Sequence, residues 1–306
     1  MKKIMLYVFY MFILGILICP LFSVAQDMGK ESSKEDDLGE WWLRNPLSYE
    51  KMPEQFLYHF EAVYDNTRET GNVITDNHSV STSLTLRKKI FTYIIRYTFD
   101  KQNYSKRDDP PKQNKDVLIR QSTKHEIHND VRVALTDKLF FSPGMFWLED
   151  DYAQIKDRYT YYSGFGLSLD PHPRLLMNIF AAYAYEELDY IDDYHDIYKI
   201  IEDWGKADDI EDYDPDTKES NMIYLYHDVR FYLSRSVALK ESLKYFSDYE
   251  QGSKYRWNFS IGADIMLSKN IMTMITYNED YDNAPETLMG LRKRDISIGT
   301  GIMFRF

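Results

Sequence analysis

The stretch richest in groups that could do chemistry is the acidic segment 187–220, which carries many carboxylates and few cationic side chains. Within it Asp212, Asp214 and Asp216 occupy alternate positions, a spacing that can gather carboxylate oxygens around a calcium ion. The segment lacks the glycine and the distal glutamate of an EF-hand loop. Two interpretations therefore stay open: a solvated acidic loop, or a site where Ca2+ or another divalent ion bridges the protein to lipopolysaccharide.

The same segment contains Asp193-Tyr194-His195, the Asp-x-His order of the outer-membrane omptin proteases. Those enzymes also need a second aspartate pair, for which Asp150 and Asp151 are the candidates. An aspartate two residues before a histidine arises easily by chance in so acidic a loop. The sequence has no phosphate-binding glycine loop, zinc spacing or nucleophile elbow. An outer-membrane hydrolase is thus a third-ranked hypothesis, and we expect no catalytic residues and no cofactor beyond that possible Ca2+.

The elements that must position these groups are strands of alternating character. In the final thirteen residues the apolar face carries Ile296, Ile298, Ile302, Phe304 and Phe306, and the other face is small or polar. Eleven earlier segments alternate in the same way, and most are near the ten residues that a tilted membrane strand requires. Aromatic residues make up 16% of the chain, 26 of them tyrosine. We therefore predict an all-β fold, a transmembrane antiparallel up-and-down β-barrel of about 12 strands.

The connections between these segments differ in length. Short ones fall at 88–89, 136–138, 170–174, 234–236 and 267–270, and longer polar ones at 65–77, 100–116, 149–157, 187–220, 248–254 and 282–293. Alternation of tight turns with long loops is the plan of an outer-membrane barrel. It predicts short turns and both chain ends in the periplasm, with the long loops outside.

The N-terminal region has the features of an export signal. Lys2 and Lys3 precede an apolar run that ends near the small residues Ser23-Val24-Ala25, so we expect a cleaved signal peptide over 1–25. We expect a periplasmic arm over 26–54 and the barrel over 55–306. The net charge of −12 argues against a nucleic-acid partner. The chain is therefore expected in the outer membrane of a Gram-negative bacterium.

Charged residues on the small-or-polar faces are expected to point into the barrel. They are His59, Glu61, Arg96, Arg256, Asp264, Asp295 and Arg305. Twelve tilted strands give a backbone radius of roughly 12 Å, which side chains reduce to a narrow or plugged bore. The charges either form a paired network that holds the lumen shut or select passing solutes.

Two segments, "DRYTYYSGFGLSL" and "YNEDYDNAPETLMGLRKRDISIGTGIMFRF", resemble the salt-induced outer-membrane proteins, domain of unknown function 481. The matching positions are Tyr277, Tyr281, Asp282, Pro285, Asp295, Gly299, Gly301 and Phe306. The resemblance implies an outer-membrane barrel linked to osmotic conditions, and it supplies no catalytic residues.

A final aromatic on an apolar strand also resembles the signal read by the barrel assembly machinery, so Phe304 and Phe306 are the candidate assembly signal. We expect a monomer in contact with outer-membrane lipid and lipopolysaccharide. The leading functional hypothesis is a non-enzymatic barrel for narrow passive permeation or adaptation to osmotic or salt stress. The alternative is a surface binding module that uses the acidic loop.

Overall fold

The structure is a computed structural model that describes residues 54, 56–69, 73–106, 117–151, 153, 155–172, 174–190, 218–250, 252, 254–268, 270–283 and 294–306. The strands are β1 (Leu57–Glu69), β2 (Val73–Lys88), β3 (Phe91–Lys106), β4 (Val117–Ala134), β5 (Leu139–Asp150), β6 (Ile155–His172), β7 (Leu175–Tyr190), β8 (Lys218–Ser234), β9 (Val237–Asp248), β10 (Tyr255–Ser268), β11 (Ile271–Asp282) and β12 (Arg294–Arg305). Each strand is antiparallel to its neighbours in sequence, and β12 pairs with β1. The predicted twelve-stranded up-and-down barrel is confirmed.

The barrel closes at the seam between its first and last strands. Glu61 pairs with Arg305 and Thr67 with Gly299, so the ladder runs most of the length of both strands. Phe60 and Phe306 exchange backbone hydrogen bonds of 3.0 and 2.9 Å, and their ring centroids lie 6.3 Å apart. Closure leaves no open sheet edge along the seam, which is the condition for a sheet in a membrane.

Successive residues on each strand alternate between the outside and the interior, as the sequence predicts. The outward residues of β12 are largely exposed, reaching 62% at Ile298, whereas the inward Met303 is 7% exposed. A row of stacked aromatic rings crosses three strands on the outer face near the end farthest from the chain termini. It consists of Tyr245, Tyr255, Tyr281 and Trp257. Such rows match the aromatic girdles that flank the apolar band of membrane barrels.

The connections agree only in part with the predicted alternation. The turns at one end are short: β2 ends at Lys88 and β3 begins at Phe91. At the other end the first connection is not long, because β1 runs to Glu69 and β2 begins at Val73. The expectation of a long loop over 65–77 is therefore wrong. Its polar residues continue the hairpin, since polarity does not prevent pairing where a strand extends past the apolar band.

Pro143 lies inside β5 instead of ending it. The ladder with β4 is interrupted there, with Asp130 paired to Gly144 and Val133 paired to Phe141 but no pair between them. Proline has no N–H to donate, so it is tolerated where a ladder is interrupted.

Among the described residues, no helix is long and apolar enough to cross a membrane. The predicted signal peptide and nearly all of the predicted arm lie outside the described residues, as does 191–217 of the acidic segment.

Candidate functional site

The interior of the barrel is the candidate site, and its two sides differ in character. On β2 and β3 the inward positions are mostly small and polar: Ser79, Ser81, Ser83, Thr85, Thr92 and Thr98. We call this set the polar wall. All six side chains are partly exposed inside a closed barrel, so this side of the interior is open to solvent.

Strands β5 to β9 present an aromatic wall to the same interior. Its rings are Phe140, Phe146, Tyr162, Phe180, Tyr224 and Phe246. Tyr224 and Phe246 stack with centroids 4.5 Å apart, and Tyr162 packs edge to face on Tyr224 at 5.2 Å. Offset and edge-to-face arrangements at these distances are favourable for aromatic pairs. This wall therefore fills one side of the barrel as a packed core.

Two glycines make room for these rings. A Cβ atom at Gly144 would lie 2.3 Å from the hydroxyl of Tyr162, and one at Gly166 would lie 2.2 Å from the ring of Phe140. Any other residue at these positions would displace an aromatic side chain. The inward glycines of β5 and β6 thus determine where the wall can form.

A second apolar cluster fills the interior nearer the chain termini. It contains Tyr232, Ala238, Met266, Met272, Met274 and Met303 from β8 to β12. Methionine is flexible and adapts to irregular gaps, which suits a barrel too wide for shorter side chains to close.

The seam end of the interior is held by the predicted charges His59, Glu61 and Arg305. Oε1 of Glu61 lies 2.9 Å from Nε2 of His59 and 3.1 Å from an NH2 nitrogen of Arg305. The side chain of His59 is buried and that of Arg305 nearly so. Paired buried charges of this kind fix geometry, because removing one partner leaves the other uncompensated.

Two further predicted residues are also paired. Oδ1 of Asp264 lies 2.7 Å from Nζ of Lys240, and Oδ2 lies 3.7 Å from Arg230. Arg256 makes a bidentate pair with Glu186: the two carboxylate oxygens of Glu186 accept hydrogen bonds from two nitrogens of the guanidinium group. Glu186 and Arg256 thereby connect β7 to β10, whereas Lys240 and Asp264 lie on the adjacent strands β9 and β10.

A buried network that the sequence did not indicate joins β4, β5 and β6. The carboxylate of Asp130 accepts hydrogen bonds from Ser142 and Tyr162 and pairs with Arg132 at 2.8 Å. Nε2 of His128 lies 2.8 Å from the hydroxyl of Tyr162. The network anchors the edge of the aromatic wall to β4. The sequence does not indicate this network because the stretch "HEIHND" (125–130) allows either alternate set of residues to point inward until the register of β4 is known.

Arg96 differs from the other predicted charges. It projects from β3 into the polar wall and is exposed. Among the residues that the structure describes, no carboxylate lies within ion-pair distance of it. The remaining predicted interior charge, Asp295, pairs with Asp280 through the backbone of β12 and β11. Its side chain lies outside the described residues.

Three histidines whose facing the sequence leaves open, His125, His128 and His227, divide between the two faces. His128 is interior, stacked on Phe146 at 4.4 Å. His125 is outward and bonds to the hydroxyl of Tyr97 at 2.9 Å. His227 is also outward, with Nε2 3.1 Å from Oε1 of Glu241 on the neighbouring strand. An acid–base pair on the outer face of a barrel is unusual, because a charge facing hydrocarbon is destabilising.

The structure describes some of the remaining candidates and not others. Phe304 and Phe306 lie on the outer face, 41% and 63% exposed. Asp150 and Asp151 accept hydrogen bonds from the backbone of Ala153 and Thr123, which organises a turn. Within the part of the chain that the structure describes, no group of three His, Cys, Asp or Glu side chains could hold a metal ion. The candidate cation ligands Asp212, Asp214 and Asp216, and the pair Asp193 and His195, lie outside the described residues.

A family model described as "Protein of unknown function, DUF481" matches residues 62–306. The chain belongs to this family. The match begins inside β1 and runs to the end of the barrel, so it covers nearly all of the described fold. The family resemblance drawn from the sequence is confirmed, while the salt-induced character stays a prediction.

No curated protein matches the sequence of this family member. Among solved structures it is similar to the NanC porin, at 12% identity and a TM-score of 0.46, over 81% of this chain and 99% of that one. It is also similar to the translocator domain of the autotransporter NalP from Neisseria meningitidis, at 8% identity and a TM-score of 0.46, over 83% and 90%. An outer-membrane channel from Pseudomonas putida F1 matches at 8% identity and a TM-score of 0.45, over 86% and 100%. These likenesses concern the fold.

Proposed function

We propose that this protein is a non-enzymatic outer-membrane barrel that conducts small solutes passively through a narrow, off-axis passage. The observation that carries the proposal is the exposure of Arg96 and of the polar wall inside a closed barrel whose other side is packed with aromatic rings. A lumen closed by a packed core all round would leave those side chains buried. The passage therefore follows β2 and β3.

The interior ion pairs support a rigid and narrow bore. Glu186 on β7 pairs with Arg256 on β10, and Asp264 on β10 pairs with Lys240 on the adjacent β9; both carboxylates are buried. Such pairs hold the lumen at a fixed width, because breaking either one would leave a charge uncompensated. Because most of the predicted interior charges are paired, whereas Arg96 and the polar wall are exposed, we propose that the pairs act as braces and that solutes pass along the polar wall.

Single-channel recording in planar bilayers tests the proposal. Protein folded into detergent, and shown to be folded by a mobility shift on boiling, is expected to give small and uniform current steps. The absence of current at any voltage from folded protein would contradict passive permeation.

The biological setting is proposed with the same function. Export by the signal peptide, insertion by the barrel assembly machinery and a monomeric state in lipid and lipopolysaccharide are consistent with a closed barrel. The family resemblance supports a role in osmotic or salt adaptation, which a growth comparison of a deletion strain at low and high salt would test. Binding of a divalent ion by the acidic loop 187–220 stays the alternative hypothesis, and deletion of 191–217 followed by calcium titration tests it.

A further inference from the structure

Two cationic side chains face each other across the middle of the lumen. Arg96 is on β3 and Lys244 on β9, and six strand-to-strand steps separate these strands in either direction around the twelve-stranded ring. Both side chains point inward, because their neighbours along the strand, Tyr97 and Tyr245, lie on the outer face. The two charges are close enough to act on each other electrostatically.

Neither cation has a carboxylate within ion-pair distance among the residues that the structure describes. This separates them from Arg132, Arg256 and Lys240, each of which is paired at 2.8 Å or less. Nζ of Lys244 instead lies 5.2 Å above the ring of Phe146, a cation–π contact that holds it on the aromatic wall.

The nearby carboxylates are shared with a third cation. Glu126 and Asp280 both act on Lys244 at longer range, and both also act on Lys124, while Glu126 acts on Arg96 as well. Three cations therefore share the carboxylate of Glu126. Arg96 and Lys244 also act together on the buried ring of His128. Arg96 and Lys244 are thus left facing the lumen without an ion-pair partner of their own among the described residues, between low-dielectric walls that focus the field along the passage.

We propose that Arg96 and Lys244 form an anion-selective constriction through which small carboxylate- or phosphate-bearing solutes pass. An anion between two facing cations relieves their mutual repulsion. The guanidinium of Arg96 presents a planar fork that matches a carboxylate or phosphate. Ser83 is the cross-strand neighbour of Arg96, so its hydroxyl lies on the same wall as a further hydrogen-bond donor to an oxyanion. This inference rests on the proposed channel function, since it names the solutes that the channel admits.

Reversal potentials measured in a potassium chloride gradient test the constriction. The wild-type protein is expected to favour chloride over potassium. In the double variant R96Q/K244Q the chloride-to-potassium permeability ratio should fall by at least about fivefold, because one charge about 5 Å from a passing ion changes the Boltzmann weight of that ion about fourfold even in water. The variant R96K should keep the preference. The matched control K101Q removes a cation from the outward face of the same strand and should change nothing.

A binding measurement separates failure of the inference from failure of the channel. Inorganic phosphate is titrated calorimetrically into the folded full-length protein in detergent. Binding to the wild type that is lost in R96Q/K244Q, with folding verified by the boiling shift, supports the anion site even if no current is seen. An unchanged permeability ratio in the double variant would overturn the inference. So would phosphate binding that the double variant retains, or no phosphate binding by the wild type.

Discussion

Replacement of Phe146 by alanine should both weaken the barrel and widen its passage. The ring stacks on His128 at 4.4 Å and packs against Tyr162 at 5.1 Å and Phe246 at 6.2 Å. The ring also makes a cation–π contact with the ammonium group of Lys244. Phe146 lies on β5, the strand of the aromatic wall nearest to β3, and its ring is the one that contacts Lys244.

The size of the effect on stability follows from these contacts. Truncation of a packed phenylalanine costs about 3 to 5 kcal/mol, and Phe146 falls near the lower end because it is only partly buried. Loss of the cation–π contact adds about 0.5 to 1 kcal/mol. We expect F146A to lower the free energy of unfolding by about 3 to 4 kcal/mol. The measurement is a urea titration in which the folded fraction is read from the gel band that shifts on boiling.

The control is Phe141, which lies on the same strand but on the outer face, beside Phe165 at 5.3 Å. F141A removes an equal side chain from the outer surface, so it should leave single-channel conductance unchanged. F146A should raise conductance, because the removed ring borders the water-accessible region. Equal conductance in F146A and the wild type, with both proteins folded, would refute the division of the lumen into a filled and an open side.

Three further perturbations test the frame of the barrel. Deletion of Phe306 removes the paired backbone hydrogen bonds at the seam. After refolding, a smaller fraction of the protein should migrate on a gel as the folded barrel that shifts on boiling. E186Q weakens the bidentate pair with Arg256 and should cost about 3 kcal/mol in urea titration, because the buried guanidinium is left uncompensated. On the outer face, H227L leaves the carboxylate of Glu241 unpaired and should destabilise the barrel, whereas H227L/E241L should be at least as stable as the wild type.

Each of these has a matched control on the opposite face or at a neighbouring position. F304A keeps the seam backbone and removes only an outward ring, so an assembly defect as large as that of the Phe306 deletion would assign the effect to the aromatic signal instead of the seam. E187Q changes the adjacent, outward carboxylate and should cost much less than E186Q. A double variant H227L/E241L less stable than H227L would contradict the cost assigned to an acid on the outer face.

The sequence was sufficient to predict the barrel because the alternation of outward apolar and inward polar residues repeats on every strand. Alternation in "IFTYIIRYTFD" places Phe91 and Tyr97 outward and Arg96 inward, and the structure has the same facing. The extent of the strands was less predictable. Polar residues near 65–77 looked like a loop, yet Thr67 and Asn77 pair with each other. Pairing beyond the apolar band is decided by backbone hydrogen bonds, which composition does not report.

The interior partners could not be predicted, because they depend on distance across the barrel. Period-two analysis places Lys244 inward once Leu243 and Tyr245 are recognised as outward, so the signal for that residue exists. Nothing in the spacing of Glu186 and Arg256 shows that they meet, since β7 and β10 are not neighbours. Such contacts require the shear and diameter of the closed sheet.

Small inward residues have opposite consequences on the two sides, and this explains why the passage lies off the axis. On β5 and β6, Gly144 and Gly166 are covered by the rings of Tyr162 and Phe140, which fit only because no Cβ is present. On β2, Ser81 and Ser83 are equally small, but the inward positions beside them on β3 carry Thr98 and Arg96. Their space therefore stays open to water. A strand rich in small residues marks either a packed core or a channel wall, and the side chains of its neighbours decide which.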